Sequence, residues 1–389
     1  MNIRKLLLAI AAFASAAGVV RAAPDVSKWD PAMAEARAEV DEAGVRWIDG
    51  RDMPYEGRGF EDVAYFYDRL PAGVTYRVNP GVLSMKHHSA GLQIRFTTDS
   101  DFVIVKFVNY NDSKGFYHMS ELGTSGIDIY RQDAKDGRWK YVTSSHRASV
   151  KQINRDDTAR ILRTSWKKGE ACLVNLPLYN GIRKLWIGVA KDAKIGPPPP
   201  HKSGVEKPVV FYGTSITHGC SASRAGLAFP AIVGRDLDVP IVNLGFSGSG
   251  VMELEMSEHL AKIDASCYVL DCLWNMSPTE KERPGRSFER NYEVFIRNLR
   301  KLRPDVPIVM AEQSDVFHSD RFARMNAVHR ELYGRLVAEG WKNLIYLPAD
   351  QMYDDTGDGT VDGTHPNDLG MASMARAYGG AVREALNLR

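Results

Sequence analysis

The sequence predicts a two-part chain in which a β-sandwich precedes a three-layer α/β/α domain with a parallel sheet. Its 389 residues exceed what one hydrophobic core usually serves. Alternating apolar runs broken by Gly, Asn, Asp and Pro dominate the first half, whereas short apolar runs alternate with helical stretches in the second half. A run of four prolines at 197–200 separates the two patterns.

The first 23 residues have the pattern of a secretory signal. Arg4 and Lys5 precede an apolar stretch, and small residues follow as far as Ala22. This order of segments predicts cleavage after Ala22 or Ala23 and an exported protein, periplasmic or secreted. We expect no stable membrane span after cleavage. A retained anchor is the alternative, since the apolar stretch is borderline in length.

Residues 24–195 are assigned to a β-sandwich of jelly-roll-like type. Period-two or continuous apolar patterns over 92–97, 102–108 and 185–189 are typical of strands. Several such strands with turns between them favour a sandwich. The proline-rich residues 196–204 are expected to form an extended, semi-rigid linker, because proline runs adopt such spacers.

Residues 205–389 are assigned to the α/β domain. Apolar runs typical of buried parallel strands alternate here with helical patterns. The expected strands lie at 209–212, 241–244, 268–274, 308–311 and 344–346, and the longest expected helices lie at 288–302 and 321–339.

The chemistry predicted for this domain begins with Ser215, which follows the first apolar run. It would emerge at the carboxyl end of a buried strand, where open α/β sheets place their active sites. Asp362 and His365 lie three residues apart near the end of the chain. That spacing lets the carboxylate orient the imidazole while the other ring nitrogen faces the serine. Because a hydroxyl is a poor nucleophile without a base, the order Ser, Asp, His predicts a catalytic triad.

Two further pieces accompany these residues. A glycine-rich loop at 245–250, called the glycine loop below, follows the second strand, and Asn275 follows the third. Together with Ser215 and His365 they resemble the SGNH (GDSL-like) hydrolase superfamily. The resemblance implies an oxyanion hole formed by the Ser215 backbone N–H, by Gly248 and by the Asn275 side chain. Gly245 is the second choice for the glycine.

One departure from that family concerns the nucleophile motif, which is Gly-Thr-Ser at 213–215 instead of Gly-Asp-Ser. The missing acid is not a triad member, so the mechanism is expected to persist. In the first half, residues 126–130 are similar to the GxDLY signature of a β-domain found ahead of such catalytic domains, with Ile129 in place of Leu. Residues 67–71 and 176–181 also resemble that domain.

The resemblance implies a secreted bacterial esterase whose accessory β-domain would suit a long sugar chain. The expected function is a serine esterase that hydrolyses short-chain acyl esters, with acylated carbohydrate as its partner. O-acetyl groups on polysaccharides or oligosaccharides are the first choice of substrate. A lipase, lysophospholipase or thioesterase is the alternative, and it would need a larger apolar groove. A non-catalytic carbohydrate-binding module is a further alternative.

A short acyl group needs only a small apolar niche beside the oxyanion hole. Phe246, Trp274 and Met276 are expected to wall this niche. His218 lies one helical turn beyond the nucleophile, so an accessory place in the site wall is expected for it. Glu312 follows a later strand and faces either the pocket or solvent.

Composition excludes other classes of function. The net charge is only +2, and no basic stripe with interleaved aromatic residues is present, so nucleic acid is not an expected partner. No Cys-x-x-Cys or His-x-x-x-His spacing indicates a metal site, and no cofactor is expected. Buried free thiols are the expected state of the four cysteines, with pairing left open.

Overall fold

The computed structural model describes residues 44–74, 78–314, 319–353 and 356–388. The expected signal segment therefore lies outside the described residues. Within these ranges, none of the helices has the length and apolar character that a membrane crossing requires.

The first half forms two antiparallel sheets that share one apolar core. Its strands are β1 (Val45–Asp49), β2 (Tyr55–Glu56), β3 (Gln93–Thr98), β4 (Phe102–Asn109), β5 (Asp128–Gln132), β6 (Trp139–Ser144), β7 (Ser149–Gln152), β8 (Thr158–Ser165), β9 (Ala171–Asn175), β10 (Ile182–Ala190) and β11 (Ile195–Gly196). One sheet has the order β1-β10-β4-β8-β7, and the other has the order β11-β3-β9-β5-β6 with β2 paired to β3. Alternate residues of β4, Val103, Val105 and Phe107, point into the shared core. The predicted β-sandwich is confirmed.

The segment between β2 and β3 leaves the sandwich. Among the described residues, this half has two short α-helices, α1 (Pro80–Met85) and α2 (Glu121–Ser125). Phe60, Leu70 and Val82 of the β2–β3 segment pack into the same apolar core as the parallel sheet of the second half. The sandwich is thus interrupted by a segment that packs against the other part of the chain.

The second half is a three-layer α/β/α structure, as predicted. Its strands are β12 (Val209–Gly213), β13 (Ile241–Gly245), β14 (Cys267–Asp271), β15 (Ile308–Ala311) and β16 (Leu344–Leu347). Its helices are α3 (Ser215–His218), α4 (Phe229–Leu237), α5 (Leu254–Leu260), α6 (Phe288–Leu302), α7 (Asp320–Ala338) and α8 (Asp368–Ala385). The pattern of β12 explains the layers, because Val210 and Tyr212 face the core under α5, α6 and α7 while Val209 and Phe211 face the core under α4 and α8.

The strand order of the parallel sheet fixes where a site can form. The order is β13-β12-β14-β15-β16. After β12, the chain forms β13 on one side of that strand and then crosses over to form β14 on the other side. Gly213 at the end of β12 is aligned with Gly245 on one neighbour and with Asp271 on the other. The loops that follow these three strands therefore start side by side, at the kind of switch point where such sheets bind their ligands.

Candidate active site

Ser215 begins α3, a single helical turn that follows β12 directly. The hydroxyl of Thr214 accepts a hydrogen bond from the backbone N–H of Ile216 at 3.2 Å and caps this turn. Gly219 ends it with a φ of 105°, a left-handed conformation that favours glycine. The threonine that replaces the family's aspartate thus has a local structural role as the helix N-cap.

The structure brings together the three residues of the expected triad. The Ser215 hydroxyl lies 3.0 Å from Nε2 of His365, and Nδ1 of His365 lies 2.8 Å from Oδ2 of Asp362. Oδ1 of Asp362 accepts the backbone N–H groups of Thr364 at 3.0 Å and His365 at 2.8 Å. Burial opposes ionisation of Asp362, but hydrogen bonds from His365 and Thr364 outweigh it and lower the pKa of the carboxyl. An ionised Asp362 holds the Nδ1–H, which leaves the Nε2 lone pair toward Ser215.

Two hydrogen-bond donors lie at the starts of the loops after β12 and β14. The Ser215 backbone N–H is in the first turn of α3, where helix N–H groups have no intrahelical acceptor. The Asn275 side-chain amide donates to the Gly250 carbonyl at 3.2 Å. Since an amide carries two hydrogens, this bond orients the group and leaves its second hydrogen for another acceptor.

The glycine loop after β13 offers a third donor. The Gly245 N–H is used, because it donates to Oδ1 of Asn243 at 2.9 Å. Gly248 is exposed with a φ of 65°, and no acceptor for its N–H is found among the described residues. The geometry thus favours Gly248 over Gly245 as the backbone donor.

Direct contacts fasten the three loops to one another. The Phe246 N–H donates to the Gly213 carbonyl at 3.0 Å. Gly250 packs so closely on the same carbonyl that a Cβ there would lie 2.0 Å from its oxygen. The Asn275 amide then holds the Gly250 carbonyl. Small residues in the second loop therefore set how near it can come to Ser215.

Four of the five expected pocket residues are buried: His218, Phe246, Met276 and Glu312. His218 donates from Nε2 to the Leu178 carbonyl at 2.7 Å and stacks on the Tyr179 ring at a centroid distance of 4.1 Å. Burial lowers the pKa of His218 well below its usual value. The Tyr179 hydroxyl donates to the Ser215 carbonyl at 3.2 Å. Tyr179 therefore holds α3 through contacts with both its first and its last residue.

Met276 is fully buried in the apolar core that includes α5 and α6. The Glu312 carboxylate accepts the Tyr346 hydroxyl at 2.5 Å and the Ala349 N–H at 2.9 Å. These bonds tie the Glu312 carboxylate to β16 and to the residues just after it, so its oxygens are already used within the protein.

Trp274 is the fifth expected pocket residue, and it is half-buried. Its indole N–H reaches the Ser314 hydroxyl at 3.4 Å, and its ring meets Phe322 edge-on with centroids 4.7 Å apart. Because Trp274 is next in the chain to Asn275, whose side chain lies at the site, Trp274 remains a candidate for the wall of the acyl niche.

Arg69, from the first half, supports the glycine loop in a way that the sequence did not reveal. It is buried and has no carboxylate partner among the described residues. Its guanidinium donates to the carbonyl oxygens of Met85 (2.9 Å), His88 (2.9 Å), Asn243 (3.2 Å) and Gly245 (2.7 Å). The same group lies 4.6 Å from the centroid of the Phe246 ring. Burial lowers its pKa to about 9, so Arg69 stays protonated at neutral pH.

The GxDLY-like segment also contacts the second half. Asp128 is buried, and its Oδ1 accepts the Asn175 amide at 2.7 Å. Its Oδ2 accepts the Arg224 guanidinium at 2.7 Å and the Gly226 N–H at 2.9 Å. This motif therefore joins the sandwich to the chain just beyond α3.

His118 is the site residue that sequence reasoning missed. It comes from the loop before α2, and its ring stacks on His365 with centroids 4.9 Å apart and an angle of 15° between the planes. Its Nδ1 lies 2.9 Å from the Ser221 hydroxyl. Burial and then the neighbouring His365 lower the pKa of His118, which favours the neutral imidazole. The only sequence signal was a run of three aromatic rings at 116–118 in a loop.

One group of potential metal ligands occurs in the part of the chain that the structure describes. Donor atoms of His118, Cys220 and His365 lie within 4.8 Å of one another. Burial raises the pKa of the Cys220 thiol to about 11, which opposes the thiolate that a metal needs. Nε2 of His365 already faces Ser215. These contacts fit a histidine-lined cleft better than a resident metal centre.

The expectation of free thiols is confirmed. All four cysteines are unpaired and buried: Cys172, Cys220, Cys267 and Cys272.

Comparisons with known proteins agree with this architecture. Residues 206–383 match the model of the GDSL-like lipase/acylhydrolase family, and residues 45–195 match the GxDLY model, the N-terminus of SGNH hydrolase-type esterases. A GDSL-like lipase from Bacteroides ovatus is 31% identical, with a TM-score of 0.76 over 89% of this chain and 99% of that one. Comparison with curated proteins gives no match.

Two more distant structures share the fold. The salicylyl-acyltransferase SsfX3 from a tetracycline biosynthetic pathway is 17% identical, with a TM-score of 0.70 over 89% of this chain and 99% of that one. A family two carbohydrate esterase from Cellvibrio japonicus is 12% identical, with a TM-score of 0.55 over 88% of this chain and 98% of that one.

Proposed function

Since the chain belongs to the GDSL-like lipase/acylhydrolase family and is an ester hydrolase, we propose that it removes acetyl groups from acetylated saccharides. The observation that carries the catalytic part of this proposal is the hydrogen-bonded series Ser215–His365–Asp362. We also propose that residues 1–23 are an export signal. Export would bring the enzyme to polymeric acetylated saccharides, which occur outside the cytoplasm.

In the first half-reaction, the Ser215 hydroxyl oxygen attacks the ester carbonyl while Nε2 of His365 takes its proton. Asp362 stabilises the imidazolium that results. The carbonyl oxygen becomes an oxyanion that accepts hydrogen bonds from the N–H groups of Ser215 and Gly248 and from the Asn275 amide. The carbon–oxygen bond to the alcohol then breaks, and His365 returns the proton to the leaving oxygen.

In the second half-reaction, water attacks the acetyl group on Ser215. His365 takes a proton from this water, and the same donors hold the second oxyanion. Collapse of the intermediate releases acetic acid, which ionises to acetate in solution, and His365 returns its proton to the Ser215 oxygen. Free enzyme is regenerated with no net change in its protonation.

Support for a saccharide ester comes from the shared fold of a carbohydrate esterase. The carbohydrate esterase from Cellvibrio japonicus has the same fold along nearly its whole length. The burial of Phe246 and Met276 also limits how far apolar space can extend behind the glycine loop. A short acyl chain therefore suits this side of the site better than a long one.

The test uses the mature protein with acetate, butyrate and octanoate nitrophenyl esters and with acetylated xylan. We expect activity to fall steeply with chain length, because each misplaced methylene is worth about 10- to 200-fold. Acetate should be released from the xylan. A preference for octanoate, with no acetate released from any acetylated saccharide, would assign the protein to the lipase class instead.

The nucleophile is tested by Ser215→Ala, which should lower kcat by about 10³-fold or more. The matched control is Ser223→Ala, since Ser223 is an exposed serine in the loop after α3. A fluorophosphonate should label the wild type and the control but not Ser215→Ala. Full activity of a folded Ser215→Ala variant would refute the proposed mechanism.

A further inference from the structure

We propose that Tyr117 and His118, on a turn of the sandwich half, form a binding site for the sugar ring that leaves the ester. This inference rests on the proposed esterase function and specifies which part of the chain recognises the alcohol half of the substrate. Neither the family match nor the sequence patterns assign a ligand to this turn.

The turn is held firmly against the triad. Backbone hydrogen bonds of 3.0 and 2.9 Å join Phe116 and Met119 and close it. His118 stacks on the ring of His365, and its Nδ1 is tied to the Ser221 hydroxyl. The Phe116 ring meets His118 edge-on at 4.9 Å. The position of the turn beside the catalytic base is thus fixed by contacts on both sides.

Tyr117 is the most exposed large apolar side chain in the part of the chain that the structure describes, at 89%. Its ring stands perpendicular to that of His118, with centroids 4.2 Å apart. Beside it lies an open recess of about 490 Å³ between the turn, residues 116–120, and the catalytic loop at Val361 and Asp362. The recess combines aromatic and apolar surface with hydroxyl and carboxylate groups. An exposed aromatic face with polar groups at its rim is the chemistry that recognises a pyranose ring.

The direction of proton transfer decides which half of the ester meets this turn. His365 must deliver its proton to the leaving oxygen, so the alcohol lies against His365 and its neighbours. The carbonyl oxygen lies toward Gly248 and Asn275, on the oxyanion side. His118 is stacked on His365, so it contacts the alcohol half and not the acyl half. With Nδ1 held by Ser221, its Nε2 is left for a sugar hydroxyl.

The experiment varies the two halves of the substrate separately. Ethyl acetate and an acetylated xylo-oligosaccharide share the acyl group and differ in the alcohol, whereas nitrophenyl acetate and butyrate differ only in the acyl group. Tyr117→Ala should lower kcat/KM for the oligosaccharide about 3- to 10-fold relative to ethyl acetate, mainly through KM, since an aromatic contact is worth this much. Tyr117→Phe should restore the wild-type ratio, because it keeps the aromatic face.

A binding measurement gives a readout that does not depend on turnover. Calorimetry with the Ser215→Ala variant should show that adding Tyr117→Ala weakens binding of the acetylated oligosaccharide by the same factor. The matched control is Tyr65→Ala, which removes another exposed tyrosine of the first half, 53% exposed and packed on His87 and Tyr110. It should leave both the ratio and the binding unchanged.

The outcomes separate the site from the function on which it rests. If the wild type hydrolyses none of these esters, the proposed function fails. If the wild type is active and Tyr117→Ala leaves the ratio of oligosaccharide to ethyl acetate unchanged, the sugar site is rejected. A loss in Tyr117→Ala that grows from acetate to butyrate would make the turn an acyl groove and would also overturn the proposal.

Discussion

Replacing Asp271 by asparagine should stabilise the protein at neutral pH. Asp271 is the last residue of β14 and is buried, and its carboxyl accepts the Thr217 hydroxyl at 2.6 Å. No cation pairs with it among the described residues. Burial raises the pKa of this carboxyl from 3.8 to about 6. Asparagine has nearly the same shape, keeps an acceptor for Thr217 and carries no charge.

The size of the effect follows from the shift in pKa. A difference of about 2 units corresponds to about 3 kcal/mol at about 1.4 kcal/mol per unit. Because the folded protein binds more protons than the unfolded chain between the two pKa values, its stability falls as pH rises through this window. The loss of stability caused by burying the ionised Asp271 carboxylate is fully present above the folded pKa. Asp271→Asn removes it, so the variant should exceed the wild type by up to about 3 kcal/mol near pH 7.5, and about two thirds of this advantage should vanish near pH 4.5.

The assay is urea unfolding followed by circular dichroism at these two pH values. Asp128→Asn is the matched control, because Asp128 is also a buried carboxylate but is paired with Arg224. Removing that partner leaves a half-buried guanidinium uncompensated, so the control should lose stability near pH 7.5. Equal changes in unfolding free energy between the two pH values for wild type and Asp271→Asn would refute the reasoning.

Four other substitutions test the neighbouring contacts. Asn275→Ala should lower kcat about 10²-fold or more with little change in KM, since the amide acts on charge formed in the transition state, and an affinity loss with intact turnover would contradict this role. Arg69→Leu should cost about 3 kcal/mol or more in urea unfolding, because several buried carbonyls each lose a donor worth about 1–3 kcal/mol, and an unchanged midpoint would speak against it. Gly245→Ala should lower the melting temperature strongly, as its Cβ would lie 2.2 Å from the His218 backbone nitrogen. Gly248→Ala meets open space and should cost only about 1–2 kcal/mol for its positive φ, so thermal melts that rank the two glycines the other way would contradict the structure.

The sequence allowed the sheet, the place of Ser215 and the Asp362–His365 pair to be predicted because each depends on local order. Ser215 follows a strand of uniformly buried residues, and a strand end of a parallel sheet is a definite place. Asp362 and His365 are three residues apart, so a single loop brings them together. In each case neighbours in the chain supply most of the geometry.

Residues whose surroundings come from the other half could not be placed in the same way. Phe246 looked like a pocket wall because of its loop, but the Arg69 guanidinium covers its ring from a segment 177 positions earlier in the chain. His218 is buried because its ring binds the Leu178 carbonyl and stacks on the Tyr179 ring. His118 reaches His365 through tertiary packing alone, and no spacing between them carries that information.

Arg69 has a consequence for any attempt to isolate the second half of the chain. β13 is the outermost strand of the parallel sheet, and the carbonyl groups of Asn243 and Gly245 on it are satisfied by this guanidinium. Without the first half, those acceptors would form an open strand edge able to pair with another chain. A fragment starting at residue 205 is therefore expected to self-associate by strand addition, because it lacks the guanidinium that covers this strand edge in the full chain.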